Sequence, residues 1–147
     1  MTNALPVLKA HKWPGVLNLE YRNLKPVWGI RLTGIRKLLA AGWELDAHTL
    51  THPDLTAVDA ARLHEEVAGS REAIQRRFHV PVNFFCYPAG RFNETVIAAV
   101  QQAGYLGATS TRYGLARPSE LYTLARLRVN GRDSLSAFAA KLEAFAS

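Results

Sequence analysis

The chain has 147 residues, the size of one ordinary domain with a substantial core. Hydrophobic residues make up 48% and charged residues 20%, a globular composition, and no apolar run approaches the length of a membrane span. The net charge of +6 is dispersed, with short clusters only at Arg71/Arg76/Arg77 and Arg126/Arg128/Arg132, so no nucleic-acid partner is expected. The single cysteine, Cys86, excludes an internal disulfide and a Cys-rich zinc site.

Helical periodicities alternate with short β-type runs, without repeats or long linkers, as in an α/β domain with parallel strands. Residues 1–147 read as one domain. Residues 3–12 predict a helix with Leu5, Leu8 and Val7 inward, stopped by Trp13-Pro14-Gly15. A strand is expected over 16–20, then an irregular aromatic stretch over 21–30 with Pro26 and Trp28. The next helix spans 33–41, with Thr33 as N-cap and Gly42 in the position where glycine ends helices. A strand at 43–48 precedes a long amphipathic helix over 57–77 that starts near Thr56 or Asp59. Then come a strand at 82–87, a helix at 93–103 ended by Gly104, and a strand at 105–110. A last strand at 125–130 and a closing helix at 134–145 complete the chain. That makes about five β/α units, too few to close a seven- or eight-stranded barrel, and the order begins with a helix where a strand belongs.

The densest chemical signal is Asp46-Ala-His48-Thr-Leu-Thr-His52-Pro53-Asp54-Leu55. Two histidines four apart share a helix face in zinc proteases, but Thr49, Thr51 and Pro53 oppose a helix, and no Glu follows His48. In an extended segment the two positions share parity, so both rings point to one side as half of a metal site. The alternative is a pair of ordinary hydrogen-bonded histidines. Asp46 shares the same parity and is the nearest candidate for a further ligand. Asp54 is expected to cap the turn before the long helix. His11, His64 and His79 lie in or beside helices and are expected at the surface.

The stretch Gly42 to Leu55 resembles the metal-binding motif of the polysaccharide deacetylases, the NodB-homology carbohydrate esterases. Phe85-Cys-Tyr-Pro-Ala-Gly90-Arg-Phe-Asn93 resembles the family's aromatic-Pro-x-Gly groove motif. Leu124-Ala-Arg126-Leu-Arg-Val129 resembles a strand of one bacterial branch, and Asn3 to Lys9 resembles the helix after the family's first motif. The resemblance therefore runs the length of the chain. It implies a partial (β/α) barrel with its first strand missing, and hydrolytic removal of acetyl groups from N-acetylated polysaccharide. It also implies a divalent metal, commonly zinc, held by His48 and His52. Tyr87, Pro88 and Gly90 would line the sugar groove, with a backbone N–H near Tyr87 assisting the oxyanion. Relatives often have Arg at the Cys86 position; here Arg126, with Arg128 competing, would take over that orienting role. Members act at the cell envelope or outside the cell.

The family's Thr-Phe-Asp-Asp-Gly motif, which supplies a base and a third ligand, has no counterpart here; no Asp-Asp pair occurs among the 12 acidic residues. It would lie about ten positions before Met1, so the resemblance implies a truncated chain with weak or no turnover. A non-catalytic, carbohydrate-binding fragment is the alternative. The family's Leu-x-His motif is also absent, since no His follows His79. A sheet lacking its first strand would expose an edge and favour self-association.

Overall fold

The structure, a computed structural model, describes residues 3–24 and 30–145. Five parallel strands form one sheet in simple sequential order: β1 (Val16–Leu19), β2 (Glu44–Ala47), β3 (Phe84–Cys86), β4 (Gly107–Tyr113) and β5 (Leu124–Arg126). Parallel neighbours require crossovers; helices fill the first three, a short 3-10 turn at Pro118–Glu120 lies in the fourth, and one further helix precedes β1. The helices are α1 (Ala4–Ala10) before β1, α2 (Leu32–Ala40), α3 (Ala60–His64), α4 (Ser70–Phe78) and α5 (Glu94–Gln102) between strands, and α6 (Leu135–Glu143) after β5. A π-helical turn, Glu65–Gly69, joins α3 to α4 without a break. The sheet is open and its helices follow its strands, as expected for a partial (β/α) barrel. Among the described residues, β1 and β5 each pair along one edge only.

The period of two along the strands sorts side chains between layers. Leu19, Leu45, Ala47, Phe85 and Ala108 pack against Ile35 of α2, Leu63 of α3, Val67 of the π turn, Ile74 of α4, and Val96 and Val100 of α5. Each large apolar side chain removed from water in this way contributes about 1.5–3 kcal/mol. Asn18 and Asp46, paired in register, lie on the opposite face.

Helix ends follow the local chemistry. Asp59, Asn93 and Ser134 accept the backbone N–H groups of Arg62, Val96 and Ala137, each three residues ahead, and so start α3, α5 and α6. Gly42 and Gly104 follow α2 and α5 in left-handed backbone, φ +82° and +78°.

Several boundaries move from their expected positions. Thr33 is not an N-cap: α2 begins at Leu32 behind Arg31, so Thr33 lies inside the first turn. The strand expected over 82–87 shortens to β3, because Pro81 has no N–H and the Val82 carbonyl accepts Arg71 Nε at 3.0 Å. β5 ends at Arg126 after a register shift against β4, and the Arg128 carbonyl accepts Lys141 Nζ at 2.9 Å. Val7 is 59% exposed rather than inward. Pro26 and Trp28 lie outside the described residues. No helix among the described residues is long and apolar enough to cross a membrane.

Candidate functional site

His48 is the first residue past the carboxyl end of β2, where its N–H donates to the Leu19 carbonyl at 3.0 Å. Its ring is anchored across the sheet: Nδ1 donates to the Cys86 carbonyl at 2.6 Å. A carbonyl can only accept, so the neutral ring carries its proton on Nδ1 and keeps the Nε2 lone pair free. The segment after it is a tight turn, not the extended run anticipated from sequence. Thr49 and His52 both occupy left-handed backbone, φ +66° and +59°. Thr49 Oγ1 accepts the His52 N–H at 2.8 Å, closing the turn locally. The turn brings the two rings together edge to face, with centroids 4.8 Å apart.

Neighbouring elements clamp this turn from two sides. The N–H groups of Tyr21 and Arg22, just past β1, donate to the carbonyls of Thr49 and Leu50 at 3.1 and 2.8 Å. From below, the fully buried Glu66 accepts the N–H groups of Leu50 and Thr51 at 2.7 and 2.9 Å, and also the Thr51 hydroxyl. Sequence reasoning passed over Glu66, which reads as one more charge on an amphipathic helix.

His48 and His52 line a cavity of about 320 Å³ together with Leu17, Asn18, Glu20 and Asn23. Glu20 was also missed. It stands one residue past Leu19, whose register partner is Ala47, so Glu20 and His48 sit at the same level of adjacent strands. Only the strand pairing reveals that proximity.

Cys86, 5% exposed, links His48 to Arg126. Arg126 Nε donates to the Ser110 carbonyl at 2.8 Å, and the guanidinium reaches Cys86 Sγ at 3.5 Å. Burial pushes the Cys86 thiol pKa up, but His48, Thr109 and Arg126 outweigh it, and the net shift is downward. For His48, burial opposes the charged ring, while Cys86 and then Glu20 favour it; the net shift is upward. Arg126 and Arg128 line one shallow pocket beside Ser110 and Thr111; Arg128 is exposed, and Arg126 is the one that contacts Cys86.

The remaining sequence candidates are placed elsewhere. Asp46 lines a separate cavity with Trp43, Val80 and Pro81, and its Oδ1 accepts the Phe84 N–H at 3.1 Å. It is therefore not a third ligand beside the histidines. Burial holds its carboxyl up at about 6, against the Phe84 hydrogen bond. Tyr87 does not line a groove: it is 1% exposed, its ring packs between Phe85 and Phe92, and its hydroxyl donates to the Tyr122 carbonyl at 2.9 Å. Its own N–H is taken by the Thr109 carbonyl at 3.1 Å and is not free for an oxyanion. Pro88 is likewise buried. Gly90 (φ +70°) packs so tightly on Thr111 that a Cβ would collide with that side chain. It shapes the loop and presents no side chain to a ligand. Asp54 caps its turn as expected, accepting from Thr56, and also pairs with Arg91 at 2.6 Å. His11, His64 and His79 are exposed.

Among the described residues no group of three His, Cys, Asp or Glu side chains converges as a complete metal cage. Of the two imidazoles, His48 has one ring nitrogen held by a backbone carbonyl, which leaves the other nitrogen available for coordination.

Comparison with known proteins places this geometry in context. The family model described as Polysaccharide deacetylase matches residues 1–108. YxkH of Bacillus subtilis (strain 168), named for the polysaccharide deacetylases, is 27% identical over 142 residues, covering 96% of this chain and 51% of YxkH. The chitooligosaccharide deacetylase of Bradyrhizobium sp. (strain ANU 289) is 34% identical over 71 residues, covering 48% of this chain and 32% of the relative. The chain thus spans about half, or less, of the curated relatives it matches. The Streptococcus pyogenes deacetylase PplD, solved in complex with acetate, superposes with a TM-score of 0.86 at 21% identity, covering 95% of this chain and 63% of PplD. That likeness carries the fold.

Proposed function

Since this chain belongs to the polysaccharide deacetylase family, we propose that it carries the metal-holding half of a hydrolytic site that removes acetyl groups from N-acetylated polysaccharide. The observation that carries this reading is the His48–His52 pair, with its rings 4.8 Å apart and the His48 tautomer set by Cys86. Two neutral imidazoles suit a divalent ion, zinc foremost, and further positions fall to water or to ligands outside the described residues. When bound, such an ion supplies Lewis acidity toward the acetyl carbonyl and acidifies water for attack.

The chain's own residues do the rest of the work available to them. His48 is locked by Leu19 and Cys86, so its Nε2 is aimed without a search through tautomers or rotamers. His52 is brought beside it by the turn. Arg126 sets positive charge behind Cys86, on the far side from the cavity lined by Glu20. Water adds to the amide carbonyl, the C–N bond breaks, and acetate and the free amine of the glycan result.

A second reading is binding without turnover. It is favoured by the lack of a third converging ligand among the described residues. Both readings are decided by three measurements: calorimetric titrations with zinc and with an acetylated chitooligosaccharide, and acetate release from that oligosaccharide. Zinc binding with slow acetate release supports the hydrolase reading. Glycan binding with no release supports the second. A folded chain that binds neither zinc nor glycan sinks both.

The edge of β1 adds a proposal about partners. Val16 on this strand is 49% exposed, and beyond β2 no described strand pairs with it. Free backbone donors and acceptors on such an edge support self-association of two copies. Sedimentation that stays monomeric across a hundredfold range of concentration would refute it.

A further inference from the structure

We infer that Glu66 is the positioning residue of the metal-holding turn, setting where the His52 imidazole stands. This rests on the reading of His48 and His52 as ligands. Once β2 ends, the turn at Thr49–His52 doubles back, and the N–H groups of Leu50 and Thr51 point into the protein with no strand to receive them. Leu50 is buried and Thr51 half-buried, so water has little access to these groups. Glu66, in the π-helical turn, fills the gap: one carboxylate oxygen takes both N–H groups, at 2.7 and 2.9 Å. The other oxygen takes the Thr51 hydroxyl and pairs with Arg62 at 2.5 Å. Arg62 also reaches Thr51 Oγ1 at 2.9 Å and Glu65 at 2.8 Å, which fixes the carboxylate's own orientation. Single π turns within α-helices recur at functional sites.

The two histidines depend on this device unequally. His48 is held independently, by the Leu19 and Cys86 carbonyls. His52 is exposed, and among the described residues its backbone is tied to Thr49 Oγ1, within a turn whose Thr49 and His52 both sit in left-handed backbone. Non-glycine residues hold that conformation only where the surroundings impose it. Here Glu66 imposes it from below, and the Tyr21 and Arg22 N–H groups from the side. Among the described residues, every hydrogen bond that Glu66 accepts from outside its own helix goes to this turn.

Two readouts on the full chain test the inference: zinc affinity by competition with a chromophoric chelator, and the imidazole resonances of both histidines in metal-free protein. Glu66→Gln keeps the shape but loses one acceptor and the charge facing Arg62. Loss of such a supporting contact lowers zinc affinity about tenfold or more. The His52 ring resonance should shift while the His48 ring stays in place. Should Glu66→Gln fail to fold, Thr51→Val removes only the hydroxyl contact and should move both readouts in the same direction by less. A folded variant with wild-type zinc affinity and an unmoved His52 resonance, whatever its denaturation midpoint, overturns the inference. Wild-type protein that binds no zinc overturns the metal reading alone, and the metal-free His52 resonance then decides the role of Glu66.

Discussion

The Nδ1–H of His48 donates to the backbone carbonyl of Cys86 at 2.6 Å, tying the end of β2 to the end of β3. That bond crosses 38 residues of sequence and fixes the His48 ring, whose centroid lies 4.8 Å from that of His52. It predicts that both rings act as a unit. His48→Ala and His52→Ala should each weaken zinc binding by at least about 10–100-fold, with the double variant little worse than either single one. Calorimetry on folded protein checks this; two small and additive losses would show that zinc sits elsewhere.

Gly90 should tolerate no side chain. Its φ of +70° and the Thr111 side chain against it make Gly90→Ala costly by about 1–3 kcal/mol. Gly131→Ala, where a Cβ meets nothing within 4 Å, should stay within about 0.5 kcal/mol of wild type. Urea midpoints of the two variants give the comparison, and equal midpoints would contradict the close packing of Gly90 on Thr111.

Tyr87→Phe removes the hydroxyl that donates to the Tyr122 carbonyl and leaves the ring stack with Phe85 and Phe92 intact. Stability should fall by about 1 kcal/mol. Affinity for an acetylated chitooligosaccharide should not change, because the side chain is in the core. A large loss of glycan affinity without loss of stability would return Tyr87 to the groove.

Asp46 makes stability depend on pH in a definite sense. Burial raises its folded carboxyl from 3.8 to about 6, so the folded state binds the proton more tightly than the unfolded chain. The stabilisation is complete below pH 3.8 and is lost as pH rises through about 6, by up to about 3 kcal/mol. Asp46→Asn keeps an acceptor for the Phe84 N–H and removes the titration. Relative to wild type the variant should gain stability between pH 4 and 7, read from urea midpoints in chelator-treated protein. A difference that is flat across this range would mean that the carboxyl is solvated.

Much of the fold was legible from local chemistry. The alternation of β runs and helices, the Asp59 cap, and the glycines after α2 and α5 are decided within a few residues, and they stand where expected. Boundaries failed where distant groups intervened, as at Val82, whose carbonyl is taken by Arg71, and at Arg128, held by Lys141. The histidine pair was legible too, through a motif of fixed spacing, although its backbone proved to be a left-handed turn rather than a strand.

What sequence alone determined, then, was the identity of the chemistry: two imidazoles beside one another, a cysteine and an arginine carried on later strands, all in an α/β chain. Only the tertiary structure decided which groups meet. Parallel pairing sets Glu20 level with His48, and β3 brings Cys86 under the His48 ring. The π turn brings Glu66 beneath Leu50. The same packing withdraws Asp46 and Tyr87 from the roles their spacing suggested. The physical reason is that spacing constrains a side chain's direction only within its own element. Which buried donors lack acceptors, and which carboxylate satisfies them, depends on strands and helices that are tens of residues apart and meet only when the sheet assembles.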